Sequence, residues 1–545
     1  MTRNPRAADT SGSKEAKKSV SRSRTGCAAC KQRRRKCDEV RPSCGNCVLT
    51  GRACVYPPPV PLRERREAQK GQALPGQQTP WHVLSVPDGP VTMPAPLMPL
   101  PPSHGKLLDP FDSLALSMPL KSQALFHYYY QVNNVYFSAP PFSARALIAT
   151  ASQDADVLRN VLLIASWHYT WNVGNMREFE STYQAHKVGS LQKVRDWIEC
   201  ENGRQSALKA IRSIATHCIV DVSLGNLTEA QTHQRGLLTV VEHLGLNSRA
   251  PTSFQEELMN RYILISIMFL QSLLSRVKDA QAHLSASTLK VETFVAIKQG
   301  HREELDGLRN RLRVLLLIPF FFISPRDDGP SPVDARSILQ PMDKLTVEAE
   351  ARIRAPLTKA REFWNKGTAV IAWFHIIEAH VSSLTKNWDV REDLDSMKPA
   401  LQSAWTPLVA AGTLYFGVVI SLWHQEVTDG LRLTTYLSQM VMHDVLGSRA
   451  AMLRWDDEHC KLWFWKAFVV ALCLSLEEPE ARSPVVVALE GEARHCIQEW
   501  SAVSGITAWA DARKALESMV WPRYLHLEVE AAKVWIDSVN PPRMA

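Results

Sequence analysis

Six of the chain's eleven cysteines fall within 28 residues, CAACKQRRRKCDEVRPSCGNCVLTGRAC, and their spacing is that of metal ligands. They divide into two copies of C-x2-C-x6-C: Cys27, Cys30 and Cys37, then Cys44, Cys47 and Cys54. A C-x2-C pair lets two thiolates reach one ion from a single tight turn or helix start, and the x6 arm brings in the third. Two separate tetrahedral sites would need eight thiolates. Six suffice when two sulfurs are shared, which makes a binuclear cluster. The quasi-symmetry of the copies puts the bridging ligands at equivalent positions, with Cys27 and Cys44 the best candidates. Soft thiolates in tetrahedral geometry suit zinc, so two Zn(II) ions are the expected cofactors. An iron–sulfur cluster is the chemical rival, but four cysteines would hold one and the duplicated spacing would go unexplained.

The two copies differ in charge. Between Cys30 and Cys37 lie Lys31, Gln32, Arg33, Arg34, Arg35 and Lys36, five cations in six positions. Between Cys47 and Cys54 lie Val48, Leu49, Thr50, Gly51, Arg52 and Ala53, with one. The metal scaffold is symmetric and the charge is not, so only the first half is built to meet phosphates. Neighbouring cations on a short helix repel one another unless a polyanion compensates them. Three readings follow: a nucleic-acid contact, a nuclear-import signal that can coexist with it, and a zinc module that merely stabilises a small fold or docks a protein.

This block resembles the fungal binuclear zinc-cluster transcription factors, whose pattern is C-x2-C-x6-C, a short proline-containing loop, and C-x2-C-x6-C. The match covers every cysteine, the basic run, Asp38 after the third cysteine and Pro42 in the loop. The resemblance implies that the end of the first basic helix enters the major groove of double-stranded DNA over a CGG-like triplet. It implies Arg33 and Arg34 as base readers, with Lys31, Arg35 and Lys36 favouring phosphates. The family usually has Lys where this chain has Arg34, and an arginine still bonds guanine O6 and N7 bidentately. The family also places a heptad coiled coil soon after the cluster. Here Pro57, Pro58, Pro59 and Pro61 follow at once, and Leu62 to Gln72 has no a/d apolar stripe. Monomeric binding and homodimerisation through the rest of the chain both stay open.

The positioning elements are unevenly distributed along the chain. Residues 1–70 carry a local net charge of +12 against +8 for the whole 545 residues, so the remainder is slightly acidic. That asymmetry points to a polyanionic partner for the N-terminal part alone, nucleic acid or an acidic membrane. Residues 1–26 are rich in Ser, Lys, Arg and Thr without an apolar stretch, so disorder is expected and export is not. A reducing compartment then favours metal over disulfides. Residues 55–120 read as an extended linker, with 15 of the chain's 33 prolines between Val55 and Pro119.

Residues 121–545 read as an all-helical regulatory domain. Leu158, Leu162, Ala165 and Tyr169 fall on one helix face, with Val157, Val161, Ile164 and His168 flanking it. Phe363, Val370, Phe374, Ile377, Val381 and Leu384 repeat the pattern. Strict alternation and hairpin signals are scarce, and no fixed-period repeat is evident. The segments LFHYYYQVNN, LRNVLLIASWHYTW and EAQTHQRGLLTVVEHLG resemble, in pattern and order, the helical regulatory domain that accompanies these clusters. Val314 to Ile323 is apolar but too short to span a bilayer, and Pro399 to Gln425 is uncharged but polar enough to read as a buried core helix. No membrane partner is expected.

No catalytic signature stands out in this region: no H-E-x-x-H, Walker loop, G-x-S-x-G or dinucleotide fingerprint. Three His-Cys dipeptides, beginning at His217, His459 and His495, read as core cysteines beside half-exposed histidines, since neighbours on a helix point about 100° apart. Tyr128, Tyr129, Tyr130, Trp167, Trp171, Trp373 and Phe374 read as core rather than a ligand pocket. The expectation is thus a mostly α, nuclear, non-enzymatic DNA-binding transcription regulator, with co-regulators as further partners. The alternatives are an enzyme with an appended zinc cluster and a scaffold whose zinc module docks protein. The scaffold predicts no salt-dependent DNA affinity.

Overall fold

The computed structural model describes residues 26–33, 35, 37–56, 116, 118–136, 154–173, 175–199, 203–245, 250–283, 329–353, 368–384, 400–423, 427–478 and 482–540. Residues 1–25, nearly all of the linker, Arg34, Lys36, Cys200, Val314 to Ile323, and Phe363 lie outside them, as do the side chains of Tyr130, Trp171 and Val370. The chain divides into two units, Met1–Met98 and Pro99–Ala545. In the first, two short helices are described, α1 (Ala28–Gln32) and α2 (Gly45–Val48).

The second unit opens with α3 (Ser122–Tyr136), α4 (Ala155–Val173), α5 (Glu180–Glu199), α6 (Gly203–Ser223), α7 (Leu227–His243) and α8 (Phe254–His283). Asp154 starts α4, its Oδ1 accepting from the Asp156 and Val157 N–H groups at 2.8 and 3.2 Å. The apolar face expected on this helix is only part of what it buries. Every residue from Val161 to Thr170 is buried, because α3, α5 and α6 all pack against it. Helix α6 is enclosed in the same way by α4, α5, α7 and α8.

The remaining described elements are α9 (Arg336–Ile353), α10 (Thr368–Leu384), α11 (Trp405–Leu414), α12 (Val427–Met452), α13 (Asp457–Ser475), α14 (Pro484–Ser504), α15 (Trp509–Glu517) and α16 (Glu528–Val539). Helix α13 is the axis of this half: Leu462 to Leu474 are buried without a break, between α12, α14, α11 and α16. Asp456 caps its start through the His459 N–H at 2.9 Å. Its tryptophans satisfy their indole N–H groups on backbone carbonyls, Trp463 on Val445 at 2.9 Å and Trp465 on Val520 at 2.8 Å. The next helix has both end signals, with Ser483 as N-cap, Pro484 in its first turn, and Gly505 at φ 69° as the left-handed stop.

Two departures from an all-helical body are seen. Residues Val333–Asp334 (β1) and Gln402–Ser403 (β2) pair antiparallel, with Val333 opposite Ser403. This two-residue ladder ties the start of α9 to the start of α11, and helix still dominates the unit. The second is a π-helical turn, Tyr415–Val419, that ends α11. The uncharged stretch Pro399 to Gln425 therefore holds a ten-residue helix, all of it buried, and not one long element. Among the described residues one helix, Phe254–Ser275, is long and apolar enough to cross a membrane, and 78% of that window is buried inside the protein.

Tyr128, Tyr129, Trp167 and Trp373 join the main core of this unit, and Phe374 packs against it. A cleft of about 510 Å³ lies elsewhere, bounded by Glu257, Asn260, Arg261, Thr406, His443 and Asp444. The His-Cys pairs are only partly as expected. Cys218 and Cys496 are core residues, but His217 is 1% exposed and not half-exposed, because α6 is enclosed on nearly every side.

Candidate metal centre and nucleic-acid interface

The six cysteines come together, five of them buried and Cys54 partly so, in a small cluster against Ala29 and Tyr56. The duplication seen in the spacing is repeated in the backbone. Cys27 and Cys44 are the N-caps of α1 and α2, at φ/ψ of −62°/157° and −68°/150°. The Cys27 N–H donates to Cys37 Sγ at 3.5 Å, and the Cys44 N–H donates to Cys54 Sγ at 3.3 Å. The Arg35 N–H donates to the Cys30 carbonyl and the Arg52 N–H to the Cys47 carbonyl, both at 3.1 Å. Each half is one turn of helix with its third cysteine folded back onto the helix start.

The sulfur distances test whether zinc fits. A tetrahedron with Zn–S bonds near 2.3 Å has edges of about 3.8 Å. Cys27 Sγ lies 3.7 Å from Cys44 Sγ and 3.6 Å from Cys47 Sγ, and Cys30 Sγ lies 3.6 Å from Cys44 Sγ. Cys27 and Cys44 thus form one edge, and each also sits at edge distance from a cysteine of the other copy. The donor set fits zinc, and the clustered cysteines are a zinc-binding centre. The Cys30 N–H beside its sulfur holds the Cys27 thiol down to about 6, in thiolate form. Burial pushes Cys30 and Cys44 up, so ionising the whole set takes a cation at its centre.

Residues outside the cysteines lock this arrangement. Asp38 Oδ2 accepts the Gly45 N–H at 2.8 Å, satisfying a free donor in the first turn of α2. A Cβ at Gly45 would stand 2.7 Å from that same oxygen, so position 45 has room only for glycine while the bond exists. Tyr56 folds over the cluster, its hydroxyl donating to the Val40 carbonyl at 3.0 Å, with Arg41 stacked on its ring at 5.1 Å. Sequence reasoning missed Tyr56; an aromatic two residues after the last cysteine was its only signal. Gly45→Ala and Asp38→Ala should each lose the capping bond, about 1 kcal/mol. Metal binding and folding are one step here, so apparent zinc affinity should fall about fivefold. Competition against a chromophoric chelator measures it, and wild-type affinity in both variants would show that the bond contributes nothing.

Of the expected DNA contacts, Lys31, Arg33 and Arg35 are described, and all three are exposed on or just after α1. None of them forms an ion pair among the described residues, so their charge faces solvent. Arg33 is not fully free: its Nη1 donates to Thr50 Oγ1 at 3.5 Å, and that hydroxyl donates to the Asn46 carbonyl at 2.7 Å. This leans the Arg33 guanidinium towards the second half. Where the first copy presents cations, the second presents Val48 and Leu49, 65% and 85% exposed.

Residues 25–63 match the family model described as the fungal Zn(2)-Cys(6) binuclear cluster domain. A transcriptional regulatory protein of Schizosaccharomyces pombe is 40% identical over 60 residues, 10% of this chain and 11% of its own. A transcription activator of Alternaria alternata is 45% identical over 47 residues, 9% of this chain and 6% of its own. A lysine biosynthesis regulatory protein of Saccharomyces cerevisiae is 56% identical over 34 residues, 6% of this chain and 4% of its own. The chain therefore spans about a tenth or less of the length of these curated relatives. No solved structure matches it. The match of this chain is thus to its six-cysteine module: residues 25–63 have the pattern of the fungal Zn(2)-Cys(6) binuclear cluster domain.

Proposed function

We propose that the chain is a zinc-dependent, sequence-specific DNA-binding transcription regulator that works in the nucleus and reads a CGG-like triplet in the major groove. The observation that carries this reading is the asymmetry of the module. Two halves with the same backbone and sulfur geometry differ in that one presents Lys31, Arg33 and Arg35 as exposed cations and the other Arg52 alone. A purely structural zinc module has no use for that difference, whereas a polyanion does. Two Zn(II) ions share Cys27 and Cys44, with Cys30 and Cys37 completing one site and Cys47 and Cys54 the other. Zinc holds α1 rigid, so its side chains meet the groove already ordered. Lys31, Arg35 and Lys36 hold phosphates and set the register, while Arg33 and Arg34 meet guanine. The Arg33–Thr50 bond makes Arg34 the stronger candidate for the bidentate contact.

Selection of bound sequences from random DNA by the full chain should return a guanine-containing triplet, and should show whether one copy or two is needed. Titration of variants then separates the roles. A bidentate arginine–guanine pair contributes roughly 1–3 kcal/mol of discrimination. Arg34→Ala should therefore collapse the preference for the selected site over a scrambled one. Lys31→Ala should weaken both sites alike and reduce the salt slope by about one unit. Equal loss on both DNAs in Arg34→Ala would end the base-reading role, and unchanged DNA binding in both variants would end the DNA-binding reading.

A further inference from the structure

Three side chains from two helices of the second unit converge at a point unrelated to the six cysteines. His217 and Asp221 are four residues apart on α6 and share a face. His233 comes from α7, brought back by a tight reversal in which Gly225 takes φ 83° and the Asn226 N–H donates to the Asp221 carbonyl at 2.8 Å. One ligand atom of each residue lies within 4.8 Å of the other two. The imidazole rings stand 5.2 Å apart, tilted by 30°, and His233 Nε2 is 3.3 Å from Asp221 Oδ2.

The carboxylate is held so that one oxygen is left over. Asp221 is fully buried. Its Oδ1 accepts from the Tyr183 hydroxyl at 3.2 Å, Lys187 Nζ at 2.5 Å and Asn226 Nδ2 at 3.3 Å. Its Oδ2 accepts no well-aligned hydrogen bond and has His233 Nε2 beside it at 3.3 Å. A buried carboxylate oxygen without a well-aligned donor, with two imidazoles beside it, is an open ligand position. His217 is also fixed from behind, its Nε2 standing 3.0 Å from Ser190 Oγ. Supporting bonds of this kind orient the ligands of metal sites.

We propose that His217, Asp221 and His233 form a second, cysteine-free site for a divalent transition ion of the zinc class. The ion takes Asp221 Oδ2 and one nitrogen from each imidazole. Nitrogen donors with a single carboxylate suit zinc and its neighbours, not calcium or magnesium, which need more oxygens. His233 is partly exposed, which leaves a route for the ion and a fourth position for water. Lys187 remains on Oδ1 and opposes a dication, so this site binds more weakly than the six-thiolate cluster. Occupied, it pins α6 to α7 and, through Tyr183 and Lys187, to α5.

Cobalt(II) added to the full chain distinguishes the two centres. Thiolate ligation produces strong sulfur-to-cobalt charge-transfer absorption, whereas a site of nitrogens and oxygens produces only weak d–d bands. The wild-type chain should bind one cobalt equivalent beyond those that saturate the charge-transfer band, and His233→Gln and Asp221→Asn should each lose it with that band intact. Position 233 is partly exposed, so His233→Gln decides the matter if Asp221→Asn does not fold. Equal cobalt content in wild type and folded His233→Gln would overturn the site and leave a plain Asp221–His233 ion pair, which would change the melting temperature alone.

Discussion

Replacing Cys27 by alanine should release both zinc ions from the module, whereas replacing Cys54 should mainly weaken one. Cys27 Sγ lies at tetrahedral edge distance from both Cys44 and Cys47, so on the shared-sulfur arrangement it belongs to both coordination spheres. Cys54 is the least buried of the six, and on the same arrangement it would belong to one sphere only. The effect is large because α1 and α2, of five and four residues, are far below the length at which helices persist alone. Their folding energy is the metal-binding energy, apparent values being about 10–16 kcal/mol for comparable small zinc modules. Native mass spectrometry of the full chain counts the ions directly, and a chelator titration should remove them from wild type in one cooperative step. One ion retained by Cys27→Ala, with the same count in Cys54→Ala, would rule out a shared sulfur at position 27.

Trp465→Ala should be among the most destabilising single changes in the helical unit. The side chain is fully buried at the middle of α13, its ring 5.9 Å from that of Tyr415, and its indole N–H is spent on the Val520 carbonyl. Deleting a buried tryptophan costs about 3–5 kcal/mol through lost contacts and the cavity left behind. The buried Val520 carbonyl also loses its donor, which adds to the cost. Trp465→Phe separates these contributions, since it keeps most of the ring and drops the bond. Trp455→Ala, 37% exposed at the surface end of the same region, should change stability by less than about 0.5 kcal/mol. Denaturant midpoints followed by far-ultraviolet circular dichroism compare the three. Similar midpoints for Trp465→Ala and Trp455→Ala would mean that α13 is not the axis of this fold.

The metal centre was legible because its information is local. A C-x2-C pair can bind one ion only through a short turn, and two copies of one spacing force two similar half-structures whatever surrounds them. The matched Cys27 and Cys44 N-caps and the matched N–H to sulfur bonds are the direct result. The basic run was equally legible, since charge density needs no fold to be counted. What that reading lacked was the Arg33–Thr50 bond and the cover by Tyr56, both of which join residues at least 16 apart in sequence.

In the helical unit, periodicity identified helices but not their surroundings. The pattern in α4 shows one apolar face, yet the packing of α3, α5 and α6 buries polar residues as well, including Asn160 and Ser166. The ladder between Val333 and Ser403 has too few residues to leave any alternation in the sequence. The pairing of His217 with Asp221 follows from helical spacing alone, but His233 reaches them only because α7 folds back on α6 after Gly225. Side-chain periodicity reports which way a residue points from its own helix axis. Which neighbour it meets depends on how helices distant in the chain pack, and a one-dimensional pattern holds no record of that.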